Sequence, residues 1–337
     1  MPAALTPLPV STRSEGPTAR WGIVATVKAP IDQVLGFAAH HIELGAHRLY
    51  LYLDTPDPTT FGFLKAHPKV RVFTCDAAHW EKMGKQRPKK HQVRQCLNAT
   101  HGYHRPPEVD WLAHIDVDEF LWPQAPLGTL LSALPPGCHC ARVRPIEALD
   151  GTGAAFKGFI PAGPDRDTIV RRLYPEFGAF VKGGFLSHTA GKLFVRTGLS
   201  GITMRIHKVL QGERMNPGEQ DLSQVELCHC HTRGWAHWIG AYRYRLEHGS
   251  YRAGLAPNRS PETGGLSLHD LLSNIEREQG EAGLRRIYDE LCADTPDHRN
   301  RLRTEGLLRL HDLDLATKCR KQFPQFDPSG GNPATTA

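Results

Sequence analysis

The sequence predicts an α/β protein: a mostly parallel sheet flanked by helices, with a helical extension at its C-terminal end. Two observations carry the prediction. Between residues 21 and 122, apolar runs of strand length alternate with helix-patterned segments. The units are about 25–30 residues long, the rhythm of parallel strands joined by right-handed crossovers. From about residue 266 the strand pattern gives way to a helical one, in LHDLLSNIEREQ, GLRRIYDELC and HRNRLRTEGLLRLHDL.

Each element can be justified in order. WGIVATVKA (21–29) reads as the first strand. A helix follows with Ile31, Val34, Leu35, Ala38 and Ile42 on one stripe, Pro30 at its first turn and Gly45 at its end. HRLYLYLD (47–54) is a second strand, and a short Pro-bounded helix leads to a third, KVRVFTCD (69–76). A basic linker, KMGKQRPKK, precedes a helix through HQVRQCLNATHGYH, and DWLAHIDVDEFLW is the fourth strand. Asp54, Asp76, Asp116 and Asp118 all fall at strand ends, the edge where such sheets bind ligands. Then come a short helix (126–136), a strand (138–149), Gly-rich loops (150–191), two strands (191–210) and another strand (225–235). A helix from Trp235 to about Glu247 closes this part. The predicted organisation is a disordered lead over 1–20, an α/β domain over 21–249, a helical extension over 250–322 and a disordered tail over 323–337.

Composition excludes several classes. The 337 residues are 40% hydrophobic and 23% charged, the balance of a soluble globular chain with a substantial core. No run reaches the ~18 apolar residues of a membrane-crossing helix, and the N-terminus lacks the charged start of a signal peptide. The net charge of +6 comes from scattered Lys and Arg, which suits a small polyanion and not a nucleic acid. Eight cysteines without an export signal read as reduced thiols in a cytoplasmic protein.

The chemistry concentrates in WLAHIDVDEFLW (111–122). Side chains alternate along a strand, so Asp116 and Asp118 are expected on one face and Glu119 on the other. Two neighbouring carboxylates repel, and half-buried ones are costly to leave charged. A divalent cation relieves both penalties; Mn²⁺ or Mg²⁺ takes one or two carboxylates plus substrate phosphates. The bland alternative is that the aspartates only cap a strand end.

With a helix carrying Gln92 and Gln95 followed by HIDVDEFLW, the chain resembles glycosyltransferases of family 2 type and their relatives in family 92. It is most similar to a bacterial subgroup whose aromatic-apolar strand ends in Asp-x-Asp-Glu-Phe. The similarity spans roughly residues 21–235. It implies the GT-A fold, a Rossmann-like nucleotide-binding sheet, with a metal held by Asp-x-Asp and a nucleotide-sugar donor, a UDP-sugar first. The acceptor would be a glycan or a lipid-linked hydroxyl, and the setting cytoplasmic polysaccharide assembly.

Carried over residue by residue, the resemblance puts the nucleoside against Thr26, Val27 and Lys28, although Lys28-Ala29-Pro30 stands where the family often has Lys-Asn-Glu. Asp54 matches the carboxylate that holds base or ribose. Gln92 and Gln95, three apart on a helix, would reach the nucleotide or face solvent. Asp116 resembles the ribose- and metal-contacting aspartate, Asp118 the direct ligand, and Glu119 a support of the following loop. In CHCHTRGW (228–235), His229 is the first choice for a third metal ligand and His231 the second, while Arg233 would pair with a diphosphate oxygen. Lys192 and His207 resemble family residues that face donor phosphates.

The Cys-x-Cys pairs at 138–140 and 228–230 admit a zinc reading. The alternative is a buried strand using Cys as a small apolar residue.

The expected reaction is inverting hexosyl transfer, with a carboxylate base expected at Glu147 and with Asp150, Asp165 and Asp167 as alternatives. Two rivals stand. A haloacid-dehalogenase-like phosphatase would use Asp116 as nucleophile. A non-catalytic GT-A-like domain would only bind nucleotide. The arginines after residue 265, Arg285, Arg286, Arg299, Arg301 and Arg303, read as a solvated helical cap, with peripheral membrane contact as the alternative.

Overall fold

The computed structural model describes residues 18–150, 153–249, 251–253 and 266–327. Most of the expected disordered lead and tail lies outside these residues. At their inner edges, however, the chain is held: the Ala19 amide donates to the Gly128 carbonyl, and Phe323 and Phe326 pack into the core.

The first half forms as the alternation predicts. β1 (Trp21–Val27), α1 (Ile31–Glu43), β2 (Arg48–Leu53), α2 (Pro58–Ala66) and β3 (Val70–Thr74) lead to α3 (Ala77–Lys82), α4 (His91–Tyr103) and β4 (Trp111–His114). Strand β1 pairs in parallel with both β2 and β4, and β2 with β3. The period of two sorts the strands between two cores. Ile23, Ala25, Leu49 and Leu51 pack with Val34, Phe37 and Ala38 of α1. Val24, Tyr50, Tyr52 and Leu112 pack on the other face with Ala99 and Tyr103 of α4.

The fourth predicted strand is in fact two. The β4 strand stops at His114, Val117 and Asp118 turn, and β5 (Glu119–Pro123) begins a separate strand. This corrects the facing rule for the three acids, since alternation does not carry through a turn.

The second half extends the sheet with mostly antiparallel pairs and adds a separate three-stranded sheet. It comprises α5 (Leu127–Ser132), β6 (Cys140–Ala148), β7 (Ala155–Lys157), α6 (Arg166–Leu173), β8 (Lys192–Arg196), β9 (Ile202–Met204), β10 (Val209–Gln211), β11 (Arg214–Met215) and β12 (Gln220–His229). The separate sheet is formed by β9, β10 and β11. β8 lies between β4 and β6, antiparallel to both. β12 runs parallel to β6 and antiparallel to β5, placing His229 opposite Glu119 on one side and Glu147 on the other. The loops expected over 150–191 contain β7 and α6, whose Val170 and Leu173 enter a further core with α7 (Trp235–Glu247) and α8 (Leu268–Cys292).

The C-terminal segment adds α9 (Pro296–Thr304), β13 (Leu308–Leu310) and α10 (Leu315–Gln322). It is more than a helical cap: β13 joins the sheet edge beside β7, and α10 returns to pack on α1.

Candidate functional site

The β4–β5 turn gathers the acids in one place. The Asp116 amide donates to Glu119 Oε2 at 2.8 Å, so Glu119 folds back toward Asp116 instead of pointing away. Lys192 Nζ, at the start of β8, lies 2.6 Å from Asp116 Oδ2 and 3.3 Å from Glu119 Oε2. Gln95 Nε2, from α4, donates to the other Asp116 oxygen at 2.6 Å. Both oxygens of Asp116 are therefore engaged by the protein. Lys192 is almost wholly buried by these acids and is not turned out toward a ligand. Burial would raise the Asp116 carboxyl, but Lys192 holds it well below the carboxylate range. Burial raises Glu119, and the neighbouring Asp116 and Asp118 add to the rise despite Lys192.

Gly191 makes this approach possible. Its φ is +71°, and a Cβ there would stand 2.1 Å from the Val143 carbonyl oxygen. Only glycine lets β8 start so close to β6 and bring Lys192 under the turn.

Asp118 has a different environment. Its carboxylate is partly exposed and lies 3.6 Å from His229 Nε2, and the Cys230 amide donates to its carbonyl. Burial alone would lower the His229 imidazole; the Asp118 carboxylate, with Glu119 and Glu147 behind it, raises it to about 9. His188 Nε2 hydrogen-bonds Glu119 Oε1 at 3.0 Å, and its ring lies 5.0 Å from that of His229. His207 packs on His188 and hydrogen-bonds the Gly191 carbonyl. Burial, Lys192 and His188 push His207 down to about 3.

A divalent cation fits this group. Glu119, His188 and His229 each bring a ligand atom within 4.8 Å of the others. Nδ1 of both histidines is buried without a hydrogen-bond partner. Imidazoles beside carboxylates suit first-row divalent ions. His231, the second-choice ligand, instead pairs with the Tyr251 hydroxyl at 3.0 Å. The eight cysteines are free, and among the described residues the candidate metal group contains none of them.

The expected base, Glu147, is corrected. It is 1% exposed, lies 2.6 Å from the fully buried Lys157 ammonium and accepts the amides of Leu186 and Ser187. This ion pair is internal. Asp165 and Asp167 begin α6, away from the site cavity. Asp150 does line that cavity, held by the Tyr288 hydroxyl at 2.7 Å. The cavity encloses about 650 Å³ beside Asp118, with Arg233 exposed on its wall.

Of the expected nucleotide residues, only Asp54 lines a separate cleft of about 1000 Å³ at the ends of β2 and β3, together with Asp76, Trp80 and Arg87. Arg94 clamps both Asp54 oxygens at 2.6 Å, and Arg87 approaches at 3.2 Å. Burial would raise the Asp54 carboxyl; Arg94 keeps it below its ordinary value. Thr26 accepts from Asn98, Val27 is a core residue and Lys28 is exposed just past β1. Gln92 reaches the His248 carbonyl, at 3.4 Å. Sequence reasoning missed His188, Arg87 and Arg94. His188 lies in a weakly patterned loop with no local signal, whereas Arg94 sits between the two glutamines that were chosen.

Residues 24–134 match glycosyltransferase family 92. No curated protein matches the chain. Among solved structures, the chain is similar to a mannosyltransferase from Pyrobaculum calidifontis in complex with GDP-Man and Mn²⁺. The two are 10% identical with a TM-score of 0.38, over 86% of this chain and 80% of that one. It is also similar to glucosyl-3-phosphoglycerate synthase from Mycobacterium tuberculosis, in complex with Mn²⁺, UDP-glucose and phosphoglyceric acid. There the identity is 16% and the TM-score 0.34, over 74% of this chain and 87% of that one. A mycobacterial protein is 15% identical with a TM-score of 0.33, over 65% and 69% of the two chains. The family match supports a glycosyltransferase.

Proposed function

We propose that the chain is a metal-dependent glycosyltransferase that moves a hexose from a nucleotide sugar to an acceptor hydroxyl. The observation that carries this reading is the pairing of His229, at the end of β12, with Asp118 of the β4–β5 turn, which lines a substrate-sized cavity. Asp118 and His229, with Glu119 and His188 behind them, would hold the cation. Mn²⁺ or Mg²⁺ bound there would neutralise the departing diphosphate as a Lewis acid.

The protein's own residues supply the remaining parts. The cleft at Asp54 takes the nucleoside, with Asp54 fixed by the Arg94 clamp and the half-exposed Arg87 side chain on the cleft wall. The exposed Arg233 guanidinium is available to a diphosphate oxygen. Asp150 replaces Glu147 as the candidate base, because it lies in the cavity with Asp118 and the Tyr288 hydroxyl orients it. An inverting outcome would require this base to face the departing diphosphate. Eight free thiols suit a reducing cytoplasm, where glycan assembly would supply the donor. Among the described residues, no helix is long and apolar enough to cross a membrane.

The test is a panel of nucleotide sugars, UDP-sugars first, incubated with Mn²⁺ and assayed for release of nucleoside diphosphate. Release from one donor, lost in Asp118→Asn, is the expected result. Silence with every donor sinks the reading.

A further inference from the structure

The cavity beside Asp118 has a composition that bears on what it can hold. The C-terminal segment contributes Leu313, Leu315, Ala316 and Phe326 to its lining, together with Val117 and Phe120 of the β4–β5 region. Phe120 is core-buried, and Leu313 and Cys319 anchor the segment to the same core. The apolar surface is therefore part of a fixed wall. The polar part is acidic: Asp32, Asp118, Asp150, Asp312 and Asp314 line it, against only Arg233 and Arg320. Asp32, Asp312 and Asp314 are exposed, so their charge faces whatever enters.

We propose that this cavity is the acceptor site and that it selects an uncharged saccharide, excluding acceptors that carry phosphate. The inference rests on the glycosyltransferase reading above. Carboxylates accept hydrogen bonds from hydroxyls, and a sugar ring presents hydroxyls at its rim and C–H groups on its faces. A lining that intersperses acids with Leu, Val and Phe offers acceptors to the hydroxyls and apolar surface to the C–H groups. A further phosphate, beside the donor diphosphate that Arg233 and the cation would hold, meets Asp32, Asp150, Asp312 and Asp314, and that like charge costs affinity and specificity alike. A lipid-linked diphosphate acceptor is disfavoured on the same ground. The volume, about 650 Å³, is in the range of small-molecule sites.

The test uses the full chain with Mn²⁺ and two probe sets: neutral disaccharides (cellobiose, lactose, mannobiose) and phosphorylated compounds (glucose 6-phosphate, mannose 6-phosphate). Binding is read by saturation-transfer NMR and calorimetry. Ala316→Trp, at an exposed position on α10, fills the cavity without touching the core. Asp32→Lys/Asp312→Lys reverses the charge at two exposed positions. The expected results are binding of at least one neutral disaccharide, loss of at least tenfold in affinity in Ala316→Trp, and no binding of the sugar phosphates until the double lysine variant is used. Nucleoside diphosphate binding, measured separately, is expected to be unchanged in Ala316→Trp. Sugar phosphates that bind the wild type more tightly than neutral sugars overturn the proposal. So does unchanged saccharide affinity in Ala316→Trp, or binding of no neutral saccharide. If saccharides bind here but no nucleotide sugar is turned over, the saccharide site stands and the transferase reading fails.

Discussion

Lys192 shows at the scale of a single residue how the acids are reconciled. A buried ammonium between Asp116 and Glu119 is stable only while both partners remain, and removing one member of a buried group typically costs about 3–5 kcal/mol. Lys192→Met is expected to lose about that much, read as a lowered urea midpoint, because two carboxylates then share a site without a cation. Asp118 predicts differently. It is partly exposed and its nearest charged partner is His229, so Asp118→Asn is expected to leave stability nearly intact. Donor turnover should fall by about 10²-fold or more, the scale of losing one electrostatic contact to developing charge. The contrast divides the Asp-x-Asp pair into one residue whose two oxygens are held by Lys192 and Gln95 and one whose carboxylate stays partly exposed. Residue types alone could not make that division, since both aspartates read identically until Lys192 and Gln95 are placed.

At the scale of elements, two junctions govern the site. The β6–β8 approach depends on Gly191, where an alanine would carry a strained φ and collide with a carbonyl. Gly191→Ala is expected to cost at least about 1–3 kcal/mol and to weaken Mn²⁺ binding, checked by thermal unfolding and by calorimetry. The α1–α10 junction holds His40, whose Nδ1 receives the Lys318 ammonium and whose Nε2 donates to the Leu121 carbonyl. That geometry requires a neutral ring, and burial lowers its pKa to about 4. The unfolded ring protonates near 6.5. Between 6.5 and about 4 the unfolded chain therefore binds the extra proton, so stability falls as the pH drops through this window. His40→Gln is expected to flatten the fall, measured as urea midpoints from pH 7 to 5. Some slope should remain, because burial also lowers His41 and His298.

For the whole molecule, legibility followed the range of the contacts. β1 to β4 were readable because each strand and helix signals its own period, and parallel order follows from alternation. The antiparallel half was less so: β8 inserts between β4 and β6 through pairings that no local pattern encodes. Asp54, Asp118 and His229 were legible as strand-end polar groups. Glu119 was misassigned because a turn at Val117–Asp118 resets the alternation, and His188 was missed because its partners lie on β5 and β12. The C-terminal segment read as a cap because helical periodicity shows an apolar stripe and not what it covers. Removing residues 312–327 is expected to uncover the outer face of α1, lower the melting temperature by several degrees and abolish acceptor binding. Differential scanning fluorimetry and the disaccharide titration check these outcomes.

The return of α10 to α1 also sets a schedule for synthesis. Domains begin to fold from the N-terminal side while the rest of the chain is still being made. The sheet centre and the Asp118 turn emerge early, but the wall formed by residues 312–326 leaves the ribosome after them. A nascent chain can thus assemble the cleft at Asp54 before the cavity beside Asp118 is complete, so a ligand of that cavity waits on residues 312–326.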